Sequence, residues 1–272
     1  MTLRFSPALQ NFIAENGSWK DFLDEGSLLI YSGSQPATPD LAPTGNLLVT
    51  ITSGGGTKTN EVKATGVITL SVGAAGSDTL ATLTLLGVEI MGSATAFDTS
   101  LTQTATNAAL KINRNPKNKF VTAVGSGAVI TLTALPGFGT LLNSAALATT
   151  VGGNMIAAVT STSFGSATGG SVAGVNAANG LKMDYNAAAG VFTKDTTQTW
   201  SGTAGGTGTQ TAGWFRYLGS VADSAALDSS AVYLRMDGAI ATSGGDLNMT
   251  STSVANGAVQ TVSSFQLTIP AA

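Results

Sequence analysis

The chain has 272 residues, of which 10% are charged against the roughly 25% of an average domain, and it carries 34 glycines, a net charge of −3, no cysteine and no histidine. These absences exclude Ser-His-Asp and Cys-His nucleophile systems, an imidazole base, zinc sites of the usual nitrogen and sulfur type, and a disulfide framework. A mean hydropathy of +0.26 excludes disorder, the short apolar runs exclude a membrane-spanning helix, and the small net charge excludes general attraction to nucleic acid or anionic membranes.

The first 26 residues read as helical. Ser6-Pro7 places an N-cap before a proline at the first helical position, and Leu9, Phe12 and Ile13 follow at i, i+3 and i+4. Asn16-Gly17 is a stop signal. Ser18 then restarts a short turn, with Asp21 placed for a capping box and Gly26 closing it. Such a stretch is either a plug for one end of a β fold or a docking arm. As an arm, its contact residues are Leu9, Phe12, Ile13, Trp19 and Phe22.

After Gly26 the period changes. Residues 27–32 and 47–52 read as strands, and Pro36, Pro39 and Pro43 exclude helix from the connection between them. The run Gly54-Gly55-Gly56 marks a boundary. Beyond it, 65–72 and 79–90 read as strands. Residues 100–114 read as a helix in which Leu101, Ala105, Ala108 and Ile112 share a face. Strands at 120–124 and 129–135 are joined by Gly125-Ser126-Gly127, and Pro136-Gly137 ends the run. The small polar residues of 161–180 read as linker. Strand signals return around Leu181, Val191, Trp200, 213–218, 231–236 and 262–269. In 213–218, Trp214, Arg216 and Leu218 alternate against Phe215 and Tyr217, as on a half-buried strand. The pattern predicts a mainly β chain: a helical arm (1–26), a discontinuous β-sandwich or jelly-roll-like domain (27–57 and 171–272) and an inserted α+β (ββαββ) domain (58–170).

Motifs for chemistry are few. Gly54-Gly55-Gly56-Thr57-Lys58-Thr59 lacks the glycine that a phosphate loop needs before its lysine, and reads as a boundary loop. Lys111, Arg114, Lys117 and Lys119 cluster where cations complement a helix C-terminus; the other reading is a salt bridge to an acidic partner subunit. Asp21, Asp24 and Glu25 form no acid–base pair with a second cluster. Trp19, Trp200, Trp214, Phe215 and Tyr217 read as core, with stacking on sugars as the competing use. No catalytic residue, cofactor or metal is expected. The N-terminus lacks a charged segment followed by an apolar one, so synthesis and folding in a cytoplasm are expected.

Several segments together resemble a family of virion structural proteins of tailed bacteriophages. They are Leu9-Gln10-Asn11-Phe12 with residues 16–21, Leu29-Ile30-Tyr31-Ser32-Gly33-Ser34-Gln35-Pro36-Ala37, Thr199-Trp200-Ser201-Gly202, Gly213-Trp214-Phe215-Arg216-Tyr217 and residues 244–249. The matching segments span both outer parts of the chain. Shorter members of that family pass directly from the second strand to the Trp-Ser-Gly region, which implies that the middle is an insertion. The resemblance implies a non-enzymatic part of a virion made in a bacterial cytoplasm. Its leading form is an exterior capsid decoration (cement) protein that contacts the major capsid protein as a homo-oligomer, a trimer for instance. A tail component (tube-decorating, collar or baseplate/fibre) and a carbohydrate-binding tailspike module are the other forms.

Overall fold

A computed structural model describes residues 3–15, 17–74, 76–159, 163–166, 169–184, 188 and 190–268. The predicted stop at Asn16 and the end of the predicted strand at Ile269 lie outside the described residues. The chain is mainly β, sandwich-like, with several antiparallel sheets and few helices. It divides into two compact units. The first comprises Met1–Ala14, Ser18–Glu61 and Ala177–Ala272; the second comprises Val62–Asn176 together with the short piece Glu15–Gly17.

Along the chain, the first unit begins with β1 (Arg4–Phe5), α1 (Pro7–Glu15), α2 (Trp19–Leu23), β2 (Ser27–Ser32) and β3 (Leu47–Ser53). The second unit follows with β4 (Thr65–Ser71), β5 (Thr79–Leu85), β6 (Val88–Glu89), β7 (Thr95–Ala96), α3 (Leu101–Arg114), β8 (Val121–Ser126), β9 (Val129–Ala134), β10 (Ala145–Gly152), β11 (Ile156–Val159) and β12 (Ser163–Phe164). The first unit resumes with β13 (Val191–Thr193), β14 (Trp200–Thr203), β15 (Thr209–Leu218), β16 (Arg235–Ala241), β17 (Leu247–Asn248), β18 (Ser253–Ala255), β19 (Val259–Val262) and β20 (Gln266–Thr268).

In the first unit the main sheet runs β1-β16-β15-β2-β3-β14-β19, with β17 beside β16 and β18 beside β15; β13 and β20 form a separate pair. Leu28 and Ile30 of β2, Phe215 and Tyr217 of β15 and Met236 of β16 point to one face. There they pack with Leu9, Phe22 and Leu23 of the two helices and with Phe265 and Leu267 near β20. The sequence predicts a half-buried β15, but both faces of its second half are covered. Its other face, with Trp214 and Leu218, packs against Leu29, Tyr31 and Ala225. The predicted strand at 231–236 starts later, at Arg235. Asp228 accepts hydrogen bonds from the backbone N–H groups of Val232 and Tyr233, both at 2.8 Å, and so keeps that stretch in a loop.

The second unit is built from two antiparallel sheets and α3 around its own core. One sheet runs β12-β10-β5-β6 with β7 beside β5, and the other runs β11-β4-β9-β8. Strands β10–β12 extend the ββαββ order read from sequence. They form because Leu147 and Phe164 fill the core with Leu83, Leu85, Ile130 and Leu132, although their neighbours are only small residues. Ser100 caps α3, accepting from the Gln103 N–H at 3.1 Å, and Ala105, Ala108 and Ile112 bury the predicted face. Gly125 of β8 lets the helix approach, since a Cβ there would lie 2.6 Å from the Ala105 backbone.

The Gly54-Gly55 turn, with φ of +64° and +70°, follows β3 directly. Past it, the outgoing and returning stretches of the first unit pair side by side. The Thr59 N–H donates to the Ala178 carbonyl (3.1 Å), and the Ala178 N–H donates to Thr59 Oγ1 (2.8 Å).

Candidate functional site

The five predicted arm residues come together on the core of the first unit. Ser6 caps α1, its Oγ accepting from the Leu9 N–H at 3.2 Å; the same Oγ donates to the Tyr233 carbonyl at 2.8 Å and ties the cap to the sheet by accepting from the Arg235 N–H at 3.1 Å. Ser18 and Asp21 form the predicted capping box of α2. Burial is the first cause that raises the Asp21 carboxyl above its ordinary range, and its bonds to Ser18 oppose the rise. Leu9 and Phe22 are wholly buried, and Phe22 meets the Tyr217 ring edge-on at 5.5 Å. Side chains with no exposed area have none to give a partner, so these two hold the helices onto the sheet. Phe12, Ile13 and Trp19 are half-buried against the same core, Trp19 meeting Phe5 edge-on at 5.1 Å.

On the opposite face lies a buried charge cluster. β15 and β16 pair in antiparallel register with Arg216 opposite Asp237. Arg216 donates Nε to Asp237 Oδ1 and Nη2 to Oδ2, both at 2.8 Å, and neither side chain reaches solvent. Arg235 makes the same two-pronged contact with Asp223, Nε to Oδ2 at 2.7 Å and Nη2 to Oδ1 at 2.5 Å. Such forks satisfy the planar geometry of both partners. Each arginine has its other terminal nitrogen, Nη1, left over, and that nitrogen reaches both loops that cover this face. Arg216 Nη1 donates to the Leu41 carbonyl (3.1 Å) and the Ala225 carbonyl (2.9 Å). Arg235 Nη1 donates to the Pro39 carbonyl (3.1 Å) and the Ala226 carbonyl (2.8 Å). Loop 33–46 and loop 219–234 are thereby fastened to the sheet and to each other, and the Asp228 N–H adds a bond to the Asp40 carbonyl at 2.8 Å.

Aromatic rings line the same face. Tyr31 stacks on Trp214 with centroids 4.5 Å apart, the Arg216 guanidinium lies 5.4 Å from the Trp214 ring, and Trp214 Nε1 donates to the Thr44 carbonyl at 3.3 Å. Burial pushes the Asp237 carboxyl up while its bonds from Arg216 pull it down. Burial also raises Asp40, assisted by the nearby Asp228 charge. Among the described residues, Asp40 Oδ1 and the Gln35 carboxamide are buried without hydrogen-bond partners. Above this framework the loops display Leu41, Leu227 and Val232 to solvent, exposed by 43%, 60% and 62%.

Replacing a buried ion pair by apolar residues is often neutral or stabilising, so two such pairs are weak evidence for stability. What they do here is fix loop geometry. The result is a fixed loop surface on which Leu41, Leu227 and Val232 are exposed. The sequence held one signal for it: arginines inside apolar strand segments of a chain with little charge elsewhere. It held no signal for which carboxylates they meet.

The remaining candidates are accounted for locally. An open groove of about 540 Å³ runs along Leu47–Thr50 past Gly55, Gly56 and Lys58. Lys58 Nζ is engaged there by Asn60 Oδ1 and the Ser220 carbonyl, both at 3.1 Å. Burial lowers the Lys58 ammonium, against the pull of Glu25 and Glu61. Lys111 and Arg114 occupy the last turn of α3 as predicted, with Lys111 Nζ donating to the Ala94 carbonyl; Arg114, Lys117 and Lys119 face solvent. Trp200 and Trp214 are fully buried and have no face to offer a sugar. Among the described residues no group of three or more acidic side chains is arranged to hold a metal ion. Comparison of the chain with family models, characterised proteins and solved structures finds no match.

Proposed function

We propose that the chain is a non-enzymatic structural protein of a tailed-bacteriophage virion, of the exterior capsid decoration type, and that loops 33–46 and 219–234 form its contact with the particle. The observation that carries this reading is the pair of buried arginines, each bonded to both loops, beneath exposed Leu41, Leu227 and Val232. Preorganised loops bind without the ordering cost that flexible ones incur. Two of the segments that carry the family resemblance, 29–37 and 213–217, contribute Gln35 and Pro36 of one loop and Arg216 of the clamp. The contact thus falls on the clamped loops, with half-buried Phe12, Ile13 and Trp19 as a second surface; homo-oligomerisation belongs to the same reading.

A tail location uses the same platform and differs in copy number. A quantified gel of purified particles is expected to show on the order of hundreds of copies, in keeping with a protein that follows capsid symmetry. A dozen copies would move the protein to the tail, and absence from particles would remove both readings. Leu227→Asp with Val232→Asp is expected to lower particle occupancy at least about tenfold, since two charges would then be desolvated on docking. Thermal unfolding should change little, because both residues are mostly exposed. A sugar-binding module is disfavoured by the burial of Trp200 and Trp214.

A further inference from the structure

The basic residues of the second unit are gathered in one place. Residues 62–176 hold five of the chain's twelve lysines and arginines (Lys63, Lys111, Arg114, Lys117 and Lys119) and three of its fifteen acids (Asp78, Glu89 and Asp98). This stretch is therefore positive within a chain whose net charge is −3. Four of the five cations fall within nine positions, at the end of α3 and in the loop that follows. The helix dipole accounts for Lys111 and Arg114 in the last turn, but not for Lys117 and Lys119 beyond it. The three acids are engaged by neutral donors. Asp78 accepts from the Ala74 and Asn154 N–H groups, Glu89 from those of Met91 and Gly92, and Asp98 from the Thr99 N–H and Asn107 Nδ2. The exposed side chains of Arg114, Lys117 and Lys119 form no hydrogen bond or ion pair among the described residues.

These cations stand on fixed backbone. Asn115 Oδ1 accepts from the Lys117 N–H and its Nδ2 donates to the Glu89 carbonyl, both at 3.1 Å. Asn118 Nδ2 donates to the Ile112 carbonyl at 3.1 Å and to the Val121 carbonyl at 2.7 Å, so both ends of the loop are tied. Lys111 and Arg114 line two open hollows at once. One, of about 400 Å³, is also lined by Phe97, Asp98, Asn107 and Leu110, and Leu110 is 44% exposed. The other, of about 350 Å³, is also lined by Met91, Gly92 and Pro116.

We infer that this face binds an acidic segment of another protein, whose carboxylates meet Arg114, Lys117 and Lys119 while an apolar side chain enters the hollow beside Leu110. Uncompensated cations on fixed backbone set the sign of the partner. The mixture of groups sets its class. A nucleic acid takes its hold from a dense run of cations and from rings that stack on bases. Here Asp98 lines the larger hollow and would repel phosphates. The ring beside Lys119, Phe120, is half-buried and meets Phe138 edge-on at 6.3 Å, so it offers no stacking platform. A polypeptide brings carboxylates and apolar side chains together, which matches cations next to exposed Leu110. A second copy of this chain does not supply the acids. Of the acids outside 62–176 only Glu15, Asp184 and Asp246 are exposed, and each stands alone in the sequence, whereas the cations at 114, 117 and 119 call for closely spaced ones. The inference stands on the second unit alone and does not depend on the reading of the clamped loops.

Fluorescence anisotropy of a labelled peptide with the repeat Glu-Glu-Leu, titrated with the full chain at low salt, is the test. Binding is expected, weakening at least about threefold between about 50 and about 200 mM salt as the charges are screened. Lys117→Glu with Lys119→Glu should lower the affinity at least about tenfold. Lys117→Arg with Lys119→Arg keeps the charge and should hold it within about twofold. Leu110→Ser should weaken this peptide about fivefold and leave poly-L-glutamate of equal charge unaffected. Lys182→Glu, at an exposed basic position of the first unit, should change nothing. Thermal unfolding of each variant, expected to match the wild type, separates a lost contact from a lost fold. Absence of binding at low salt overturns the proposal, as does binding indifferent to the reversal at 117 and 119 or equally sensitive to Lys182→Glu. A single-stranded oligonucleotide of equal charge that binds as tightly as the peptide overturns it in favour of a phosphate polymer. Undiminished binding of the peptide by Leu110→Ser overturns it by removing the hollow from the contact.

Discussion

The two units solve the same problem with different chemistry. Each has loops whose backbone groups must be bonded where water is scarce. The first unit does this with charge: Arg216 and Arg235, paired with Asp237 and Asp223, take up four loop carbonyls. The second unit does it with carboxamides. Asn118, wholly buried, donates to the Ile112 and Val121 carbonyls and accepts from the Val121 N–H. Asn143 makes a matching pair of bonds with the Gly174 backbone, and Asn113 does so with Ala123. A carboxamide carries both donor and acceptor, so it can replace a peptide group at no cost in buried charge. A guanidinium reaches further and joins two loops at once, but it requires a buried counter-ion. The charged solution appears where one side chain must hold two loops at once, and the neutral one where a single peptide group is matched, on an element by Asn113 or on a neighbouring loop by Asn143.

Breaking the charged clamp should have the largest effect. Arg216→Ala leaves Asp237 buried and unpaired, a loss of about 3–5 kcal/mol. Denaturant unfolding followed by tryptophan fluorescence reads it cleanly, since all three tryptophans lie outside residues 62–176. Arg216→Met combined with Asp237→Leu should recover most of that stability and still loosen both loops, which would show that the pair serves geometry. If the double variant were as unstable as the single one, the clamp would be a stability element after all.

The neutral clamp should be the milder one to break. Asn118→Ala strands buried backbone groups at the end of α3 and is expected to cost about 1–3 kcal/mol. Amide hydrogen exchange should show the loss in the second unit, with the tryptophan-detected transition of the first unchanged. A cost equal to that of Arg216→Ala would erase the distinction.

The smallest effect is on the acid limb, where the two units should differ in sign. Burial holds Glu25 and Asp40 above their ordinary values, so the folded first unit binds those protons more tightly than the unfolded chain. Their contribution to stability grows as the pH falls through the raised values. Asp78 of the second unit is held below its ordinary 3.8 by bonds from the Asn154 and Ala74 N–H groups. Its contribution is complete above 3.8 and is lost as the pH falls through the depressed value. Asp195 of the first unit, lowered by Thr197, follows Asp78 and works against the contrast. An acid titration with fluorescence for the first unit and amide exchange for the second is expected to show the second yielding first.

Local signals in the sequence were enough for β2, β4, β8, β9 and α3, for the Ser6 and Ser18 caps, and for a mainly β fold. Each of these rests on alternation, on helical spacing or on a capping residue within a few positions. The strand read over 79–90 is instead broken at Leu86-Gly87 into β5 and β6. Strands β10–β12 were not legible, because Ala145–Gly152 offers only Leu147 and Val151 as large apolar residues and is a strand by virtue of pairing with β5. The true start of β16 depends on Asp228 capturing two N–H groups, which only the folded loop creates. The clamp was least legible of all. Arg216 and Asp237 meet through a register set across 21 residues, and Arg235 meets Asp223 across a loop rather than a ladder.

The pairing of Thr59 with Ala178 has a consequence for how such a chain can change over time. Where the outgoing and incoming backbones already touch, the sequence between them is a cassette. Removing 62–176 leaves two ends that a short turn can join, and any module whose own termini lie together can take its place with no strand of the outer sheet disturbed. The first unit can thus act as a constant frame, and the second as the part free to vary.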